Sequence, residues 1–138
     1  MKKQVWQAVG FLAALLATSS AIGQTNRSDT ITDIPFAFTV ANYTLPPGRY
    51  VVTRMNETTL RIFNSHKQGT VVLTTGVQSK TVQDASRMVF HRYGDTYFLS
   101  EVWGAASGTG RKIFQSRAEK NLRGKRAEME IATLPIPR

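Results

Sequence analysis

The sequence predicts an all-β fold: a small antiparallel β-sandwich or partly open barrel of about seven short strands, with a short C-terminal helix and a last edge strand. Apolar residues alternate with a period of two in several short segments. Turn signals rich in glycine, proline and asparagine separate these segments. No segment between residues 30 and 105 has a helical period. The length of 138 residues suits a single domain.

The first residues predict an export signal. Lys2 and Lys3 are followed by an apolar run at 8–17, and then by the small residues Ala21 and Gly23 at the positions a signal peptidase inspects. The run is shorter than the roughly 20 residues of a spanning helix. We therefore expect a secreted protein, periplasmic or extracellular, after cleavage near Gly23-Gln24.

The chain is expected to divide into a signal peptide (1–23), a flexible segment (24–32), one β-rich domain (33–134, with the helix near 117–123) and a tail (135–138). It contains no cysteine, which excludes both disulfides and a lipid-anchoring cysteine. The hydrophobic core alone must therefore hold the domain.

The first predicted strand has four large side chains on one face, because Ile34, Phe36, Phe38 and Val40 alternate with smaller residues. Pro35 lacks a backbone N–H, which favours the start of a strand or the edge of a sheet. The following "LPPGRY" predicts a type II turn with Pro47 and Gly48 at its corners, before a strand from Tyr50 to Met55.

The stretch "RMVFHRYGDTYFLSEVW" predicts a β-hairpin with a two-residue turn at Gly94-Asp95. Counting outward from that turn places His91 opposite Phe98, Phe90 opposite Leu99 and Met88 opposite Glu101. Both faces of the hairpin are largely apolar, so we expect both to be covered. One face would carry Met88, Phe90, Leu99 and Trp103, and the other Val89, His91, Tyr93, Phe98 and Val102.

Two further signals follow the hairpin. The glycine-rich run at 104–110 lacks the spacing of a phosphate-binding or dinucleotide-binding loop, and we interpret it as a flexible connection. Ser116 and Glu119 fit a capping box, which predicts a helix from Arg117 to about Arg123 that Gly124 closes. Ala118 and Leu122 are expected to form its apolar stripe.

Positive charge is concentrated in residues 111–126, which hold seven basic residues and one acidic residue. A segment of this kind attracts anionic partners, whereas the alternative is a solvated basic face. The expected partner is an anionic envelope polymer or another envelope protein. The candidate contact residues are Arg111, Lys112, Lys120, Arg123, Lys125 and Arg126.

Other functions have weaker support in the sequence. His66 and His91 are too few for a metal site, and no nucleophile motif is present, so we expect no cofactor and no catalytic residue. A small hydrolase would need paired carboxylates, which Glu57, Asp84, Asp95 and Glu101 could supply. A β-barrel carrier for a small molecule is the other alternative. The basic segment lacks the interleaved aromatic residues that stack on nucleic acid bases.

Four segments together, "IPFAFTV", "LPPGRYVV", "FHRYGDTYFLSEVW" and "SRAEKNL", resemble a family of small exported, uncharacterised, β-rich bacterial proteins of acidobacterial type. The resemblance covers most of residues 33–123. The turn "LPPGRY" is also similar to one in secreted prealbumin-like β-sandwich modules. These resemblances imply an exported β-rich protein and no particular activity, ligand or catalytic residue.

Overall fold

The structure is a computed structural model that describes residues 29–83, 85–105 and 107–137, so the predicted signal peptide lies outside the described residues. The described ranges contain ten strands and one helix. These elements are β1 (Asp29–Ile34), β2 (Phe38–Val40), β3 (Tyr43–Leu45), β4 (Gly48–Arg54), β5 (Thr59–Asn64), β6 (Gly69–Gln83), β7 (Arg87–Tyr93), β8 (Thr96–Trp103), β9 (Ser107–Ile113), α1 (Arg117–Gly124) and β10 (Glu130–Pro135). The all-β class is confirmed.

The strands form a sandwich-like fold that is not closed into a barrel. The first sheet has the order β1-β4-β5-β6, and all its pairs are antiparallel. The second half of β6 pairs with β9, and β9 pairs with β8. Strand β8 also pairs with β7, which in turn pairs with β10. On the same sheet β8 contacts β2, which pairs with β3. One contact, between Thr39 and Phe98, is parallel, so the sheet is mixed at this point, whereas an antiparallel arrangement is predicted.

The core lies between the two layers and contains side chains from both. Tyr50 and Ile62 come from the first sheet, and Phe38 and Phe90 come from the second, all at most 1 % exposed. The ring of Phe38 meets Tyr50 edge-on at 5.1 Å between centroids. Burial of these large apolar side chains is the main stabilising contribution in a chain without disulfides.

The predicted first strand is divided in two at Pro35. β1 ends at Ile34, and the chain then crosses to the second sheet, where β2 begins at Phe38. Proline cannot donate to the strand ladder, which explains the break at this position. Phe36 falls in the crossing and is only partly buried, stacked on Tyr97 at 3.8 Å. The prediction that four side chains share one strand face is therefore wrong for Phe36.

The predicted type II turn is also wrong. Gly48 has a φ of 159°, which is extended, whereas a type II turn needs about +80° at this position. The residues between β3 and β4 instead carry the chain from the second sheet back to the first. The hydroxyl of Tyr50 fixes this crossing by donating a hydrogen bond of 2.5 Å to the carbonyl of Pro46.

The hairpin β7–β8 has the predicted turn, because Tyr93 pairs with Thr96 and Gly94 adopts a φ of 60°. His91 opposite Phe98 and Phe90 opposite Leu99 are also confirmed. The register then shifts between Val89 and Phe90, so that the extra residue Ser100 forms a bulge in β8.

The bulge corrects two predictions. Met88 lies opposite Val102 rather than Glu101, and Trp103 lies opposite Arg87. Because neighbouring residues in a strand point to opposite faces, Trp103 lies on the face away from Met88. Val102 correspondingly packs against the core. We call the face that carries Met88 the inner face of this sheet, and the other face its outer face.

The glycine-rich run is not a flexible connection, because Ser107–Ile113 form strand β9. Gly110 lies directly opposite Trp103, and a Cβ added to Gly110 would sit 2.6 Å from the indole ring. Real Cβ contacts are never this short, so the indole occupies the space that a side chain at residue 110 would need. Glycine at this position therefore has a packing role.

The C-terminal part of the fold extends further than predicted. Ile136 is 4 % exposed, and its N–H donates to the carbonyl of Ser86, so the predicted tail is partly in the core. At the other end, residues 29–32 belong to β1 rather than to a flexible segment. The last strand, β10, pairs with β7 and is an edge strand as expected.

Candidate functional site

Helix α1 is held on the outer face of the second sheet by a buried carboxylate. The side chain of Glu119 is 3 % exposed, and its Oε1 lies 2.5 Å from Nδ1 of His91. The hydroxyl of Tyr93 donates to the same oxygen at 3.1 Å. Buried carboxylates need partners of this kind, because an unpaired one is costly to remove from water.

These contacts correct two features predicted for the helix. Ser116 accepts a hydrogen bond from the N–H of Glu119 as expected, but the Glu119 side chain turns to the sheet instead of back to the cap. Ala118 is exposed and Leu122 is half-buried, so the expected apolar stripe does not anchor the helix. The sequence signal for the real anchor is the presence of His91 and Tyr93 on one face of a strand.

The end of the helix also differs from the prediction. Gly124 is the last helical residue and has no positive φ, whereas Arg126 adopts a left-handed φ of 57°. The N–H groups of Arg126 and Ala127 donate to the carbonyls of Arg123 and Leu122. This pair of hydrogen bonds is the Schellman arrangement, which satisfies the last carbonyls of a helix.

Burial raises the pKa of the Tyr93 hydroxyl above its ordinary value, and the nearby negative charge of Glu119 adds to the effect. The positive charge of Arg123 acts in the other direction. Among the described residues, no serine hydroxyl is bonded to the His91 imidazole, as a nucleophilic triad would require. Through these contacts the cluster of Glu119, His91 and Tyr93 fixes α1 on the sheet.

The six basic residues predicted as a contact surface divide into two groups. Lys120, Arg123, Lys125 and Arg126 are exposed on or just after α1. Lys112 is exposed on β9 and pairs with Glu101, which in turn lies opposite Val89 on the outer face. These five residues therefore lie on the same side of the molecule.

Arg111 does not belong with them. It is the neighbour of Lys112 in β9 and lies opposite Val102, so its side chain is on the inner face. There its Nη2 binds Oε2 of Glu57 at 3.1 Å. The prediction placed Arg111 and Lys112 on one surface, and strand geometry separates them.

The basic side chains around α1 differ from most other arginines of the fold in whether they form ion pairs. Among the described residues, none of them is in an ion pair, whereas Arg49, Arg54, Arg92 and Arg111 all are. The "basic surface" is defined as Lys112, Arg117, Lys120, Arg123, Lys125 and Arg126. All six residues are exposed to solvent.

A second feature is a cleft of about 750 Å³ between the two sheets. It is lined by residues of β1, β4, β5, β6, β8 and β9, including Val52, Leu60 and Val102. At its rim, Nη2 of Arg54 lies 2.8 Å from the same Glu57 oxygen that binds Arg111. No local sequence pattern indicates the cleft, because its lining comes from six strands.

The carboxylates considered for hydrolysis have other roles or positions. Glu57 is bound to two arginines, and Glu101 accepts a hydrogen bond from the indole nitrogen of Trp103 at 2.7 Å. Asp84 lies outside the described residues. In the ranges that the structure describes, no group of three histidine, aspartate or glutamate side chains is placed to hold a metal ion.

No helix within the described ranges is both long and apolar enough to cross a membrane. No family model, no curated protein and no solved structure matches this chain.

Proposed function

We propose that this protein is an exported, non-catalytic binding module of the cell envelope that contacts an anionic partner through its basic surface. The observation that carries the proposal is the exposure of these cations without ion-pair partners among the described residues. A concentration of unpaired positive charge attracts polyanions over distances comparable to the Debye length, about 8 Å at physiological ionic strength.

The way in which α1 is fixed supports a binding role. The Ser116 cap, the buried Glu119 and the Schellman end together hold this short helix in one position. Its cations are therefore presented on an ordered backbone, so that less conformational entropy is lost when a partner binds.

Retention on a heparin column tests the proposal, because heparin is a defined polyanion. The test variant replaces Lys112, Lys120 and Lys125 with glutamine. The matched control removes the same charge elsewhere, by replacing Arg61, Lys67 and Lys80 with glutamine. Exposed charges contribute only about 0.2–1 kcal/mol each, so both triple variants should remain folded.

We expect the test variant to elute at clearly lower salt than the parent, and the control variant to elute close to the parent. Equal shifts in the two variants would show that only net charge matters, which contradicts the proposal. An unfolded test variant would show instead that the three lysine stems pack on the sheet.

Export is the second part of the proposal and rests on the order of charged, apolar and small residues in 1–23. Intact mass analysis of protein recovered outside the cytoplasm should give a chain that begins at or within two residues of Gln24. Recovery of exported chains that keep Met1 would contradict cleavage.

A further inference from the structure

The cleft between the sheets has the size of a small-molecule site. Its volume of about 750 Å³ is within the range of about 300–1,000 Å³ that is typical of ligand pockets. Val52 and Leu60 form a buried apolar part, and Val102 extends it from the second sheet. Such pockets combine an apolar lining with a few placed polar groups.

The polar groups at the rim are two arginines that converge on one carboxylate oxygen. Arg111 is largely buried, with 17 % of its side chain exposed, and its guanidinium lies beside Gly76. Arg54 is 42 % exposed. Both bind Oε2 of Glu57, so the rim already holds one carboxylate between two guanidinium groups.

That carboxylate can leave without disturbing the fold. The Glu57 side chain is 87 % exposed, and exposed ion pairs contribute little to stability. The backbone beside it is fixed independently, because both the N–H and the hydroxyl of Thr74 donate to the carbonyl of Thr58. Rotation of Glu57 away from the rim would leave two cations facing the cleft, one of them largely buried.

We propose that the cleft binds a small organic anion with an apolar body, whose carboxylate replaces that of Glu57 on Arg54 and Arg111. Charged hydrogen bonds from two guanidinium groups would hold the carboxylate, and the side chains of Val52, Leu60 and Val102 would contact the body. A sugar acid fits less well. Trp103 is 4 % exposed and has Arg87 over its ring at 5.0 Å, so it offers no free face for stacking.

Calorimetric titration of the full chain with octanoate tests this proposal. Octan-1-ol is the comparator with the same body and no charge, and glucuronate is the comparator with the same charge and no apolar body. We expect saturable one-to-one binding of octanoate, at least tenfold tighter than either comparator. Absence of saturable octanoate binding, or equal binding of octanol, would overturn the proposal.

Variants of the rim make the test specific. Arg111→Gln should weaken octanoate binding at least tenfold, and Arg54→Gln serves the same purpose if the first variant does not fold. Glu57→Gln should strengthen binding severalfold, because it removes the competing carboxylate. The matched control, Glu128→Gln, removes an exposed charge elsewhere and should leave the affinity unchanged. Weaker binding by Glu57→Gln would contradict the displacement step.

The site is independent of the proposed polyanion contact. The triple glutamine variant of Lys112, Lys120 and Lys125 should bind octanoate as the parent does, while losing heparin retention. Loss of octanoate binding in that variant would place the anion on the basic surface and overturn the assignment of the cleft.

Discussion

The two faces of the β7–β8 hairpin are both buried, but different interactions cover them. The inner face contributes Met88, Phe90 and Leu99 to a continuous apolar core. The outer face is covered by α1 through the Glu119 carboxylate, and the indole of Trp103 on this face lies over Gly110 of the neighbouring strand β9. Apolar burial tolerates small shifts because it has no direction, whereas the outer face depends on particular atom pairs. We therefore expect the two faces to respond differently to substitution and to pH.

The largest effect is expected on the inner face, from Phe90→Ala. Phe90 has no exposed surface and meets the rings of both Phe36 and Phe38 edge-on. Removal of a buried phenylalanine ring should lower the free energy of unfolding by about 3–5 kcal/mol, measured by denaturant unfolding. The control, Phe114→Ala, changes a ring that is 61 % exposed and should cost less than about 0.5 kcal/mol. Similar costs at the two positions would show that the inner face is not the core.

The sequence predicts both faces of the hairpin near its turn but not beyond the bulge, for a physical reason. Alternation identifies strands and their apolar faces locally, and Gly94 fixes the start of the hairpin register. The bulge at Ser100 has no local signal, because an extra residue becomes visible only when two strands pair. The β8 side chains beyond the bulge, including Trp103, are therefore predicted on the wrong face.

The same reasoning applies to the candidate sites. The basic segment was predicted from composition, and the residues around α1 do lie together. Arg111 is grouped with them because it belongs to the same basic run at 111–126. Ser107–Ile113 form a strand, and neighbouring side chains in a strand point to opposite faces of the sheet. Arg111 and Lys112 therefore lie on different faces. The anchoring role of Glu119 and the cleft depend on contacts between distant segments, which no local pattern contains.

The next effect concerns the helix contact on the outer face. Glu119→Ala leaves the polar groups of His91 and Tyr93 without their partner, which should cost up to about 3 kcal/mol. Hydrogen exchange should show faster exchange of α1 amides, while the amides of β7 and β8 remain protected. Glu128→Ala, an exposed carboxylate near the helix end, is the control and should change neither quantity. Unchanged protection of α1 in Glu119→Ala would contradict the anchoring role.

Gly110→Ala tests the contact between Trp103 and Gly110 on the outer face. The added methyl group would meet the Trp103 ring at 2.6 Å, so the indole must move. We expect a loss of about 1–2 kcal/mol by thermal unfolding, together with a changed fluorescence spectrum. The control, Gly108→Ala, places a methyl group 3.9 Å from the Ser79 carbonyl oxygen and should be tolerated. Equal tolerance at both positions would contradict the packing of Trp103 on Gly110.

The smallest effect is a dependence of stability on alkaline pH. The pKa of Tyr93 is raised above 10.0 in the folded state, mainly by burial. The corresponding stabilisation is present below pH 10 and is lost as the pH rises through the folded pKa. Tyr93→Phe should therefore lose less stability than the parent between about pH 9 and pH 11 in thermal melts. Burial also raises the pKa of Tyr50, but this effect is the same in the parent and in Tyr93→Phe and does not contribute to the difference between them. Parallel curves for the two proteins would contradict the prediction.

Mapping where a polyanion binds tests the role of the basic surface. Amide chemical shifts of the folded protein would be followed by NMR during titration with a short heparin fragment, at low and at high salt. We expect the shifts to concentrate at Lys112 and residues 117–126 and to diminish at high salt. Amides of β1, β4 and β5 in the first sheet serve as the internal reference and should not move. Shifts spread evenly over both sheets, or confined to the first sheet, would contradict a binding role for the basic surface.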